Sequence, residues 1–166
     1  AYPLAALRSK VSSGVRPPTL DGLSYLGSDD RAAIEWVRRS TDPRSVVLQA
    51  PGESYRAQDG RLSAATGRAT LLGWQGHEVQ WRGARFGEMA AGRLEAAELV
   101  YRSGDRATVE GIVNRFGIDY IFLGPVERQR YSVDPEREQF LRSLAEPVFA
   151  QGTIRILETV GQRRSR

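Results

Sequence analysis

The chain has no cysteine, a single lysine (Lys10), a single histidine (His77) and a single methionine (Met89) among its 166 residues. The missing cysteine excludes disulfides, thiol nucleophiles and cysteine-based zinc sites together, and leaves the redox compartment open. A lone histidine excludes His-pair metal sites, and the spacing of His77 and Glu78 matches no known metal motif. No stretch approaches the roughly 20 apolar residues of a membrane-spanning helix, and no signal-peptide hydrophobic block is present. Neither a G-x-G-x-x-G pattern nor a Walker loop occurs, so no nucleotide or other cofactor is expected. Zinc-finger and RNP signatures are missing too, which leaves nucleic-acid binding without support beyond charge.

What is present is an ordinary globular composition: 40% hydrophobic residues, 27% charged residues and a net charge of +4. The basic residues other than Lys10 are all arginine. Arginine offers a planar, bidentate fork for carboxylate and phosphate, so the bias points either to anion binding or to a compositional or heat-adapted surface. Acidic residues are interspersed with the arginines along most of the chain, and only the tail at 162–166 is a basic run.

The pattern of elements predicts helices alternating with buried strands. Helices are expected at 30–40 (capped by Ser28 or Asp29, with Ala33, Ile34 and Val37 inward), at 93–102, at 107–116 and from Pro135 onward. Asp105 is the expected N-cap of the third, and Gly117 its left-handed stop. Strands are expected at 45–50, 62–66, 69–74 and 118–123, with a closing hairpin around Gln151 and Gly152. The fold class is therefore α/β, a small three-layer Rossmann-like sandwich with a mostly parallel sheet and a C-terminal antiparallel hairpin. Residues 1–18 read as a linker, 19–160 as one α/β domain and 161–166 as a disordered basic tail.

Residues 70–83 hold the histidine, two of the three tryptophans and Glu78, Gln80 and Arg82 between them. Two indoles do not suit a solvated loop, and His, Glu, Gln and Arg in near succession do not suit a buried strand. The mixture suits a surface that meets a polar partner, although a structural hydrogen bond for His77 and core packing for Trp74 or Trp81 are equally ordinary roles. Trp36 lies in a regular apolar pattern and reads as core. In open α/β sheets ligands gather at the carboxyl ends of strands. Three segments are expected there: 52–55 with Glu53 and Tyr55, the loop 73–83, and 124–128 with Glu127 and Arg128. Ser54 follows a strand but lacks the glycine two positions later that a hydrolase elbow requires.

The order of several segments carries a further signal. Thr19-Leu-Asp-Gly-Leu, Asp30-Arg-Ala-Ala-Ile-Glu-Trp36, Val46-Val-Leu-Gln-Ala-Pro-Gly-Glu-Ser-Tyr55, Ser63-Ala-Ala-Thr-Gly67, Leu72-Gly-Trp-Gln-Gly-His-Glu-Val-Gln-Trp-Arg-Gly83, Ile118-Asp-Tyr-Ile-Phe-Leu-Gly124 and Glu127-Arg-Gln-Arg-Tyr131 together resemble the C-terminal part of the prokaryotic "YYY" membrane proteins. That resemblance spans about residues 19–157, and its most specific part is the Gly-Trp-Gln-Gly-His-Glu-x-Gln-Trp-Arg-Gly motif. It implies a soluble, extracytoplasmic domain of a polytopic cell-membrane protein related to glycosyltransferases that use lipid-phosphate-linked sugars. It further implies that residues 1–18 follow a transmembrane helix, and that the partners are the protein's own transmembrane part and a lipid-phosphate-linked sugar. On this reading the domain has no catalytic residue of its own. His77, Glu78, Gln80, Trp81 and Arg82, with Trp74, Glu53, Tyr55, Glu127 and Arg128, contribute to a substrate cleft. The alternative is a non-catalytic protein-interaction module of a membrane protein.

Overall fold

The computed structural model describes residues 21–54, 56 and 58–159. The expectations for the linker at 1–18 and the tail at 161–166 lie outside the described residues, as does that for Tyr55. No helix among the described residues is long and apolar enough to cross a membrane.

The first helix, α1 (Ser28–Ser40), begins beyond Gly27, so the cap lies one residue earlier than expected. Asp29 and Asp30 sit in its first turn and Arg38 and Arg39 in its last, each sign complementing the helix dipole. Ala33, Ile34 and Val37 are buried as their spacing predicts. A short strand β1 (Val47–Leu48) follows, then helix α2 (Arg61–Thr66), helix α3 (Gln75–Arg82) and a single turn α4 (Phe86–Met89). Helices α5 (Arg93–Arg102) and α6 (Arg106–Phe116) lead to strand β2 (Tyr120–Leu123). Helices α7 (Pro125–Tyr131) and α8 (Pro135–Leu144) precede the hairpin β3 (Ala145–Gln151) and β4 (Ile154–Thr159). Asp105 caps α6 by accepting from the Thr108 amide, and Gly117 closes it at φ +60°. Asp134 caps α8 in the same way, through the Arg137 amide.

The four strands form one sheet in the order β1-β2-β4-β3. Only β1 and β2 run parallel; β2–β4 and β3–β4 are antiparallel. The sheet is thus mixed rather than mostly parallel, because two expected strands are not strands. Residues 62–66 form α2, bounded by Gly60 and Gly67, both in the left-handed region (φ +69° and +72°). Leu62 and Thr66, one helical turn apart, both point inward. Residues 69–74 touch the sheet edge only through the parallel bridges Val46–Ala69 and Gly52–Trp74. Leu71 and Leu72 are both buried, and the backbone bends at Leu71 instead of continuing as a strand.

All four residues of β2 are buried, and their alternation divides the core. Tyr120 and Phe122 pack with Val47, Ile154, Ile156 and α1 on one side. Ile121 and Leu123 pack with Leu48, Leu157 and residues of α5, α6 and α8 on the other. Trp36 is half-buried and packs against Tyr120 and Phe149 at centroid distances of 6.2 and 5.7 Å, in keeping with its expected core role. The fold class is therefore α/β, with helices on both faces of a mixed sheet.

Several arginines act inside the fold. Arg68 Nη2 donates to the carbonyls of Val37 (3.3 Å), Arg38 (3.1 Å) and Thr41 (2.9 Å) at the C-terminal end of α1. Arg137 donates to Tyr101 O (2.7 Å) and Val100 O (2.6 Å) at the end of α5. A guanidinium is suited to such places, where unpaired carbonyls and the negative end of the dipole coincide. The arginine bias thus has a local structural use that composition does not reveal.

Tyr101, fully buried, ties the two parallel strands together. Its hydroxyl donates towards Phe122 O (2.8 Å) and Leu48 O (3.2 Å). Burial first, then the charges of Glu127 and Tyr131, push its phenol well above the ordinary tyrosine value, against a smaller pull from Arg61. The phenol therefore stays protonated in the fold while the unfolded chain ionises near pH 10. Stability is complete below about pH 10 and falls as pH rises towards the folded value. Urea midpoints measured from pH 8 to 11 should show this alkaline loss. Tyr101→Phe should flatten it while lowering stability by about 1–2 kcal/mol at pH 8.

Candidate functional site

Residues 73–83, expected as a loop, fold as the helix α3. Trp74 stands at its N-cap position with extended backbone, and Trp74 O accepts from the Glu78 amide at 2.9 Å. Glu78 lies in the first turn and Arg82 in the last, and the two form an ion pair four residues apart. That order of charges favours a helix. No residue of α3 is buried. The apolar stripe by which a helix is usually recognised is therefore missing, and this is why the sequence reads as a loop.

The motif divides between two sides of this helix. On one side the Trp74 indole, half-buried, donates from Nε1 to Asp59 O at 2.8 Å, and the His77 ring lies 5.1 Å from it at an interplanar angle of 42°. His77 is half-buried, Gln80 is exposed, and Trp81 is 85% exposed. On the other side Glu78 and Arg82 line a groove of about 440 Å³ together with Thr70, Phe86, Met89 and Arg93. Arg82 Nη1 donates to Met89 Sδ at 3.4 Å. Trp81 is not part of that groove, so the stacking face and the guanidinium of the motif address different surroundings.

The three segments expected at the strand ends do converge. Gly52 pairs with Trp74, and the Gln75 amide donates to Gly52 O at 3.2 Å. Glu53 is exposed; its amide donates to Asp59 Oδ2 (2.8 Å), and its carboxylate pairs with Arg56 at 3.4 Å. Arg130 reaches Asp59 across 3.6 Å. Residues 124–128 are the N-cap and start of α7, and Glu127 has no exposed surface. Its carboxylate accepts from the amides of Ala50 (3.1 Å) and Gly124 (3.0 Å), and Arg61 Nη2 lies 3.5 Å away. Arg61, whose side chain is 2% exposed, also donates to Asp30 Oδ1 and to Gln58 O, both at 2.6 Å. Arg128 donates to Glu138 Oε2 (2.8 Å), Leu123 O (3.3 Å) and Thr153 O. The structure thus buries Glu127 and leaves Arg128 half-buried, with their polar atoms engaged by the chain itself.

Sequence reasoning missed Thr70 and Arg93 in the groove and Asp30, Asp59 and Arg61 in the framework. Arg61 has no local signature, because its partners Asp30 and Glu127 lie 31 and 66 residues away. Among the described residues no group of three or more His, Cys, Asp and Glu side chains is arranged to hold a metal ion.

No family model matches the chain, and no curated protein matches it. Among solved structures it is similar to the C-terminal globular domain of an oligosaccharyltransferase from Archaeoglobus fulgidus. That similarity covers 81% of this chain and 98% of the other, with a TM-score of 0.49 and 11% sequence identity. At those values it carries no argument about activity.

Proposed function

We propose that residues 19–160 form the soluble extracytoplasmic domain of a polytopic membrane protein, a glycosyltransferase that uses lipid-phosphate-linked sugars. In this reading the domain is a three-layer Rossmann-like sandwich whose helix α3 contributes to the substrate cleft. It rests on the sequence resemblance of the 72–83 motif. The structural observation that carries it is the exposure of α3. A helix holding His77, Glu78, Gln80, Trp81 and Arg82 buries none of them in the fold, and Trp81 is 85% exposed. Residues that do not hold the fold together are available to hold something else. Trp81 supplies a stacking face, Arg82 a planar donor, and Glu78 and His77 position hydroxyls. The groups that break and form bonds lie in the membrane part, so the isolated chain is inactive.

The test is binding of a polyprenyl-phosphate sugar by the full-length membrane protein. Trp81→Ala and Arg82→Ala should each weaken it by about tenfold or more, the equivalent of about 1.4 kcal/mol. Equal binding by both variants would contradict the proposal. A second reading, a non-catalytic interaction module, is favoured by the same Trp81, since exposed aromatics often anchor protein interfaces. Loss of a protein contact in Trp81→Ala, with sugar binding intact, would establish that reading instead.

A further inference from the structure

The groove beside α3 lies between residues 70–73, α3 itself and the turn α4 with the start of α5. Its volume of about 440 Å³ falls within the range of small-molecule clefts. Thr70 lines it, and the Thr70 hydroxyl is buried with no hydrogen-bond partner among the described residues. Buried polar groups are almost always paired, so such a hydroxyl marks a place where a partner arrives from outside the chain. Threonine populates more than one staggered χ1 state, so a ligand in the groove is met by the rotamer that turns this buried hydroxyl outward.

The other lining groups define what fits. Glu78 supplies a carboxylate and Arg82 a guanidinium, held side by side as an ion pair. Among the described residues Arg82 Nη1 is otherwise satisfied only by the Met89 sulfur, a weak acceptor that a ligand oxygen would displace. Phe86 and Met89 add an apolar wall. Arg93, by contrast, is engaged by Met89 O (3.2 Å) and Leu71 O (3.5 Å) and lies 5.6 Å from the Phe116 ring centre. A neighbouring acceptor and donor match two adjacent hydroxyls, each of which both donates and accepts. A small inorganic anion would meet the Glu78 carboxylate in the same groove, which disfavours it.

We propose that this groove binds a neutral hexose ring, with Thr70, Glu78 and Arg82 on its hydroxyls and Phe86 against its apolar face. The choice of a sugar rests on the proposed function, and it names the part of the donor or acceptor that this domain holds.

The test is a titration of the ¹⁵N-labelled chain with glucose, mannose, galactose and N-acetylglucosamine, with inorganic phosphate as the contrasting probe. At least one hexose should give saturable shifts at the amides of Thr70, Gly73, Glu78 and Arg82, with a Kd on the order of 1 mM. Thr70→Val should weaken that binding by about tenfold. The same variant should melt at or above the wild-type temperature, because a methyl replaces an unpaired buried hydroxyl. Absence of saturable shifts with every hexose, the same shifts with phosphate, or unchanged binding by Thr70→Val would each overturn the hexose site. Failure here, with Trp81→Ala still weakening lipid-linked sugar binding in the full-length protein, removes only this site. Hexose binding here, with no such effect of Trp81→Ala, leaves the site and removes the transferase reading.

Discussion

Arg61→Met should lower the stability of the chain by about 3–5 kcal/mol, because it leaves a carboxylate buried without its cation. The lost guanidinium bridges Asp30 on α1 and Glu127 on α7 and also binds Gln58 O. Glu127 retains the amides of Ala50 and Gly124 but, among the described residues, no positive charge within 4 Å. Urea unfolding at pH 7 measures the loss, which corresponds to roughly 6–20 °C in melting temperature for a chain of this size. Adding Glu127→Gln should return part of it, since the buried charge disappears while an amide oxygen still accepts a backbone N–H. If Arg61→Met is within 1 kcal/mol of wild type, the buried network is not what joins these segments.

Gly52→Ala should be the next most damaging substitution, at about 3 kcal/mol or more, the upper end of what overpacking usually costs. A Cβ on Gly52 would stand 2.1 Å from Asp59 Cβ and 2.9 Å from its Cγ, and neither atom belongs to a freely moving side-chain tip. Gly52 is also the residue that pairs with Trp74, and Asp59 binds both Arg130 and the Glu53 amide. The clash therefore falls where the three strand-end segments meet. Denaturant unfolding gives the loss, and ¹⁵N spectra should show the largest changes at residues 52–60 and 74–77. A variant as stable as wild type would mean that segment 52–60 moves aside freely, and the convergence would lose its rigidity.

The elements legible in the sequence were those with their signals inside them. Helix α6 has its own cap in Asp105 and its own stop in Gly117, α8 opens on Asp134 and Pro135, and the hairpin turns at Gly152. Helix α2 escaped because its six residues are too few to show a period, and the glycines that bound it read equally well as loop. Arg61 escaped for a different reason: a buried arginine is stable only through partners distant in sequence, and no local pattern encodes them. In the candidate site, the chemistry of residues 74–82 was legible from residue type alone. Its division was not. Which of Glu78, Trp81 and Arg82 share a surface depends on a helix that lacks an apolar face. The role expected for Glu127 was lost to burial, since its carboxylate is needed by two amides and an arginine of its own chain.

Helix α3 is displayed by the fold rather than required by it. Thermal melting of the chain tests this most directly, with Trp81→Ala and Arg82→Ala beside wild type. Both variants should unfold within about 0.5 kcal/mol of wild type, as expected for exposed side chains, with the Glu78–Arg82 ion pair worth a few tenths. Destabilisation of several degrees in both would contradict the account and make α3 part of the structural core.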